Sequence, residues 1–302
     1  MNKNKILLFL IMIIAFFIYF KLNPANSSHS MNTYKIVDKD DLILKSNIDN
    51  RNLESIFRLK NITNPDYIRN GLLKNTKIYS INPLVFTIDN YLSNDDVNNL
   101  KKIIDNKKFE PSTTIRSDGK IVTSKDRNNT VSWLNTEYNE ETKKICGSIS
   151  TLLNTDLSHS EDMQIIRYEK GQEYKYHYDT FEGKYTELNN HNQRLYTVLV
   201  YLSDVEKGGE TSFDKLNIDV SPKKGKLLFF QNCLDKTNIR DYKTSHAGLP
   251  VKKGIKYAFN LWFREKPLTV EKNNILKLKQ INQEEINLLL KKNIKFNYKK
   301  NL

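Results

Sequence analysis

Two periods alternate along the chain. From Met163 onward apolar residues recur every second position in "MQIIRY", "YKYHYD", "RLYTVLVYL", "GKLLFF", "KTSHAGLPV" and "IKYAFNLWF". These stretches are short, aromatic and β-branched. Turn signals such as "EKGQ", "EKGGE", "PKKGK" and "VKKG" separate them, so they read as strands of a sandwich, jelly roll or barrel. Upstream, Leu84, Phe86 and Ile88 alternate as a further strand. Ser93 with Asp96 forms a capping-box pattern that opens a helix, and Val97, Leu100, Ile103 and Ile104 share one of its faces. A second helix is expected over about Thr136 to Leu153. The pattern therefore gives an α+β class, N-terminal helices followed by a strand-rich core, with sandwich, jelly roll and barrel all open.

The ends follow other rules. Lys3 and Lys5 precede Ile6 to Phe20, a run without charge or amide, and Lys21 follows. At about 1.5 Å per residue this run spans roughly 22 Å, short of a roughly 30 Å hydrocarbon core. It reads as an uncleaved signal anchor, because "NPANSS" makes a poor cleavage site. Asn26, Asn61 and Asn128 each open an N-x-S/T sequon, in agreement with a secretory route. Four segments result: a cytoplasmic end and anchor at 1–21, a polar stem at 22–80, a globular domain at 81–265 and a basic tail at 266–302. Within the tail, "NQEEINLLLKK" has the spacing of an amphipathic helix.

The formal net charge of +13 reflects lysines dispersed among asparagines, a solvated surface rather than a nucleic-acid footprint. Cys146 and Cys233 are the only cysteines, which excludes a disulfide scaffold and a thiolate zinc site but leaves one bridge open.

Candidate chemistry centres on His177 and Asp179. On a strand, positions i and i+2 share a face, so the imidazole and the carboxylate project together, with Tyr178 opposite. They offer two adjacent positions for a divalent metal, and His246 is the best third ligand. Two histidines and one carboxylate form the facial triad of non-haem Fe(II) oxygenases, which leaves positions open for chemistry. A structural zinc site would be closed by four ligands. His29, His159 and His191 have no such neighbours. Lys256, Ala258, Asn260 and Trp262 share one face of the last strand. A lysine pointing inward among apolar neighbours needs an anion.

The stretches "RYEKGQEYKYHYD", "QRLYTVLVYLSDVEKGGETSF", "PKKGKLLFF" and "SHAGLPVKKGIKYAFNLWF" resemble the 2-oxoglutarate- and Fe(II)-dependent dioxygenases of the prolyl 4-hydroxylase type. With "PLVFTIDNYLSNDDVNNLKKII" and "DRNNTVSWL", the resemblance covers Asn82 to Glu265. It implies a double-stranded β-helix (jelly-roll) core flanked by N-terminal helices, and that His177, Asp179 and His246 bind Fe(II). It also implies that Lys256 and Tyr168 hold the far carboxylate of 2-oxoglutarate, with Thr197 lining that pocket. Tyr174, Arg194, Trp262 and Arg127 match positions near a peptidyl substrate. Asn128 and Asn129 stand where the family usually has Thr and Ser, a departure on the substrate side.

The activity so implied is hydroxylation of peptidyl proline, at the 4-position. It is coupled to decarboxylation of 2-oxoglutarate with O2, giving succinate and CO2, with ascorbate as accessory reductant. The implied partner is a proline-containing polypeptide met in the lumen of the endoplasmic reticulum or secretory pathway. A lysyl or other side-chain hydroxylase is the alternative on the same scaffold. A nucleic-acid demethylase fits poorly with the anchor and with a lysine at 256 where an arginine is expected. A non-catalytic peptide-binding module is opposed by the intact triad and Lys256.

Overall fold

The structure, a computed structural model, describes residues 75–115, 121–183, 186 and 191–268. The expected anchor, the stem up to 74 and the tail from 269 lie outside the described residues, as do Asn26, Asn61 and His29. Among the described residues no helix is long and apolar enough to cross a membrane.

In chain order the elements are β1 (Thr76–Ile81), β2 (Leu84–Ile88), α1 (Asn94–Asp105), β3 (Glu110–Pro111), β4 (Thr113–Ile115), β5 (Ile121–Thr123) and β6 (Thr130–Leu134). Helix α2 (Glu140–Leu152), β7 (Met163–Tyr168), β8 (Tyr174–His177), β9 (Arg194–Tyr201), β10 (Lys207–Gly208) and β11 (Thr211–Phe213) follow. The last are β12 (Ile218–Val220), β13 (Leu227–Gln231), β14 (His246–Gly248), β15 (Val251–Lys253) and β16 (Lys256–Arg264).

Eight strands form one antiparallel sheet in the order β1-β2-β13-β9-β16-β7-β6-β3, and a smaller sheet runs β12-β11-β14-β8. The arrangement has the general form of a jelly roll.

Period-two alternation sorts side chains into two apolar layers. Leu227 and Phe229 of β13, with Phe259, Leu261 and Phe263 of β16, pack with α1 and α2 on one face of the large sheet. Leu228, Phe230 and Ala258 point the other way and meet Phe213, Ile218 and Val220 of the small sheet. The large sheet is thus covered on both faces, which is why all five residues of β2 are buried instead of every second one. Each fully buried Phe in these layers contributes about 1.5–3 kcal/mol.

The helices begin where capping chemistry permits. Ser93 caps α1 in a reciprocal box with Asp96, and Val97, Leu100 and Ile104 are buried. Asn139 caps α2 with Thr142, so that helix starts after the expected Thr136. Residues 136–139 form the turn before it.

The sheet begins at Thr76, inside the segment read as stem. There Ile78 and Ser80 are buried, and the polar Lys77 and Ser80 hid the alternation. Cys146 and Cys233 are both free and buried, so the bridge left open by the sequence is absent.

Candidate metal centre and cosubstrate cavity

The small sheet delivers the site. His177 ends β8, His246 begins β14, and the two are register partners. Strand β8 stops at His177, so Asp179 does not share a strand face with it as expected. The chain turns after His177 and brings the carboxylate back between the two imidazoles. His177 Nε2 lies 3.7 Å from Asp179 Oδ1, and His246 Nε2 lies 3.6 Å from Asp179 Oδ2. One ligand atom from each of the three residues falls within 4.8 Å of the others.

Backbone carbonyls decide the tautomers. His177 Nδ1 donates to Lys175 O at 2.8 Å, and His246 Nδ1 donates to Thr244 O at 2.9 Å. Nε2 of each ring is therefore the nitrogen that faces Asp179. Burial, and then the neighbouring His177, pushes the His246 imidazole down to about 4, so it is neutral and ready to ligate at pH 7. Burial works to raise the Asp179 carboxyl, but His246 and His177 outweigh it and hold it well below the usual carboxylate range. Asp179 Oδ2 also accepts from Thr197 Oγ1 at 2.7 Å and from Trp262 Nε1 at 2.9 Å. Two imidazoles and one oriented carboxylate fit a divalent iron and leave open positions.

A cavity of about 600 Å³ opens beside the triad and reaches Lys256. Lys256 is 2% exposed, and its ammonium donates to Gly209 O at 2.7 Å. Burial pushes it down to about 7, against an opposing pull from Glu210. Glycine is required in this turn: Gly208 has φ +79, and a Cβ there would collide with the Pro250 carbonyl. Tyr168 is the register partner of Lys256, and Lys256 Nζ lies 5.3 Å from its ring centre. A buried ammonium with a single carbonyl acceptor, in the same cavity as the triad, fits the far carboxylate of a keto-diacid.

Residues 163–264 match the model of the 2OG-Fe(II) oxygenase superfamily. Probable prolyl 4-hydroxylase 10 of Arabidopsis thaliana is 30% identical over 208 residues, covering 62% of this chain and 71% of the relative. The chain belongs to the prolyl 4-hydroxylase family. Probable prolyl 4-hydroxylase 8 of the same plant is 29% identical over 206 residues, 62% of this chain and 70% of its own length. A crystal structure of the viral collagen prolyl hydroxylase from Paramecium Bursaria Chlorella virus-1, as its 2OG complex, is 31% identical. It covers 60% of this chain and 95% of that chain, with a TM-score of 0.48. Fe(II), 2-oxoglutarate and O2 are the cofactor and cosubstrates of this oxygenase family, and the His177–Asp179–His246 cluster fits the iron.

Within this prolyl 4-hydroxylase fold several expected residues take different posts. Thr197 does not line the cavity; its hydroxyl orients Asp179 and accepts from Asn232 Nδ2 at 2.9 Å. Trp262 lines the cavity but spends its N–H on Asp179. The cause is register: Trp262 and Thr197 are partners across β16 and β9, so both reach the same carboxylate.

Arg194 also lines the cavity, yet its guanidinium is already engaged. It forms a two-pronged pair with Glu161 at 2.6 Å per contact and lies 3.7 Å from the Trp262 ring centre. Tyr174 stacks on His177 with ring centres 3.5 Å apart. Arg127 sits 4.6 Å over the Tyr174 ring and donates to Gln164, Asn129 and the Thr113 carbonyl. Asn128 is exposed, and its Oδ1 accepts from the Glu173 amide.

Sequence reasoning missed Glu161, Trp133, Arg240 and the placement of Tyr178. Glu161 anchors both Arg194 and Arg264, whose Nε contact is 2.6 Å. Burial would raise its carboxyl, but the two arginines hold it below its ordinary range. Its partners lie 33 and 103 residues away, so no local pattern announces it. Tyr178 was expected on the opposite face of a strand that in fact ends one residue earlier, and it lines the cavity. His159 serves packing, with Nδ1 against the Arg264 carbonyl.

Proposed function

We propose that the chain hydroxylates proline within a polypeptide, at the 4-position, while 2-oxoglutarate is converted to succinate and CO2. The observation that carries this reading is one cavity holding both the His177–Asp179–His246 cluster and the buried Lys256 ammonium, walled by aromatic rings. Bound iron with 2-oxoglutarate and O2 supplies the oxidant for an unactivated C–H bond.

The protein's own part is placement. His177, Asp179 and His246 hold the metal, and Thr197 and Trp262 aim the carboxylate. Lys256, with Tyr168 beside it, fixes the far carboxylate of the diacid as a point charge. Trp133 offers a ring face to an uncharged proline, and Tyr174, stacked on His177 with Arg127 over its ring, stands on the same cavity wall. No side chain is needed as general base; the residues exclude water and fix the distance from target carbon to metal. Ascorbate as accessory reductant belongs to the same reading, as does a double-stranded β-helix core for a catalytic domain over 81–265.

The names of the relatives support proline as the target. The lysine-flanked apolar run Ile6–Phe20 supports membrane attachment, with the catalytic part in the secretory lumen. Succinate release measured with and without a proline-rich peptide, followed by mass spectrometry of that peptide, tests the reaction. A mass increase of one oxygen on proline supports it. Absence of peptide-stimulated succinate, or oxygen found on lysine alone, sinks it. Alkaline extraction of membranes from expressing cells tests the anchor.

A further inference from the structure

The polar side chains behind the metal centre extend one step beyond Thr197. The Thr197 hydroxyl donates to Asp179 Oδ2 at 2.7 Å, and Trp262 Nε1 donates to the same oxygen at 2.9 Å. Asp179 Oδ1, which faces His177 Nε2 at 3.7 Å, takes neither bond. Thr197 Oγ1 in turn accepts from Asn232 Nδ2 at 2.9 Å. Asn232, Thr197 and Asp179, far apart in sequence, thus form one line of buried side chains.

A hydroxyl is a rotor with one proton, so its polarity is set by its neighbours. The asparagine amide nitrogen can only donate. It fills a lone pair of Thr197 Oγ1 and leaves the Thr197 proton to point at Asp179. Turned the other way, Oγ1 would set its own lone pairs against the carboxylate across the same 2.7 Å. Serial donors also polarise one another, so the bond that reaches Asp179 is stronger than one from an isolated hydroxyl.

Asn232 is held for this post. It follows the last residue of β13, its N–H donates to Leu195 O at 2.8 Å, and its C=O accepts from the Asp241 N–H at 3.0 Å. These backbone bonds fix the root of the side chain beside β9. Packing does not call for an amide there. Asn232 is 1% exposed, and its Oδ1 is buried without a hydrogen-bond partner among the described residues. An apolar side chain of similar size would avoid burying that lone carbonyl. What the amide adds at this position is the bond from Nδ2 to Thr197.

We propose that Asn232 is a positioning residue for the metal centre: by donating to Thr197 it fixes the direction of the Thr197 proton, and so the aim of Asp179. It touches neither metal nor substrate and acts only through Thr197. This rests on the reading of His177, Asp179 and His246 as an iron site.

The test is a double-variant cycle read by Fe(II) affinity in the absence of oxygen, measured by competition with a chromogenic chelator. Asn232→Leu removes the amide and keeps the backbone bonds. Alone it should weaken Fe(II) binding several-fold, within the roughly tenfold that loss of an outer partner costs. In a Thr197→Val background the same change should leave the affinity where Thr197→Val put it, because the hydroxyl it directs is gone. A merely structural role predicts the same loss in both backgrounds. Asn232→Ala takes its place in the cycle if the leucine does not fit.

Equal losses in the two backgrounds, or wild-type affinity in Asn232→Leu, overturn the relay and leave the iron site standing. A wild-type protein that binds no Fe(II) sinks the metal centre, and the relay with it.

Discussion

His177 and His246 are register partners, one closing β8 and the other opening β14. That pairing sits at the end of the small sheet's strand order, with β14 on one side of β8 and a bridge from Tyr174 to Arg127 on the other. Two ligands distant in sequence are thus set by one local strand contact, and the third swings in from the turn that follows β8.

Removing one of these partners should abolish the centre without dismantling the sheets. His246→Ala leaves an imidazole and a carboxylate, too few to hold iron in place. Iron retained after desalting should fall by more than the roughly 10–100-fold that even outer hydrogen-bond partners cost. Succinate production should fall with it. Circular dichroism should stay that of a β-rich fold: His246 rests against Phe213 and Phe230, but the contacts of those rings with the rest of their layer remain.

The residues behind Asp179 should show a graded version of the same loss. Thr197→Val and Trp262→Phe each delete one donor to Oδ2. Each should weaken metal binding by about tenfold, measured by competition with a chromogenic chelator, and the double variant should lose more than either. An unchanged affinity would show that backbone geometry alone aims the carboxylate.

Much of this was legible in the sequence because it is carried by local pattern. The spacing His177-x-Asp179, a distal His246 and Lys256 on the apolar final strand pick out the metal and anion sites. Period two gave Met163–Tyr168 as a strand, bounds included. What escaped was non-local. Glu161 gains its meaning from Arg194 and Arg264, which arrive from β9 and β16. The roles of Thr197 and Trp262 follow from register across β9 and β16, which no single strand reveals. The end of β8 at His177 is set by the turn that carries Asp179 inward, and with it the position of Tyr178.

Lys256 gives the protein a distinctive pH response. Its pKa is pushed from 10.5 down to about 7 on folding, chiefly by burial. Between those values the unfolded chain binds a proton that the folded one does not, so stability rises with pH across that window. Below about 7 the full cost of the buried charge is present.

Pairing with a dicarboxylate requires the protonated form, so 2-oxoglutarate affinity should decline as pH rises above about 7. Thermal unfolding of the metal-free protein, with and without 2-oxoglutarate, should show the first trend in its absence and a flatter profile in its presence. Lys256→Met should flatten both profiles and raise the KM for 2-oxoglutarate far more than it changes the KM for peptide.

Glu161 should prove a positioning residue whose loss is felt in stability first. Glu161→Gln leaves Arg194 and Arg264 mostly buried without their shared carboxylate, at side-chain exposures of 16% and 7%. Breaking such a pair costs about 3 kcal/mol. The Glu161 carboxyl is held below its ordinary range, so its contribution is complete above about 4.5 and fades as pH falls through the lower folded value. Chemical denaturation should therefore show a gap of about 3 kcal/mol between wild type and variant near pH 7 that narrows in acid. The Arg194 guanidinium, without its carboxylate partner's charge, remains on the cavity wall beside Trp262, so the KM for peptide should shift while the KM for 2-oxoglutarate stays near its wild-type value. A variant with unchanged stability at pH 7 would show that neighbouring groups take over the two arginines.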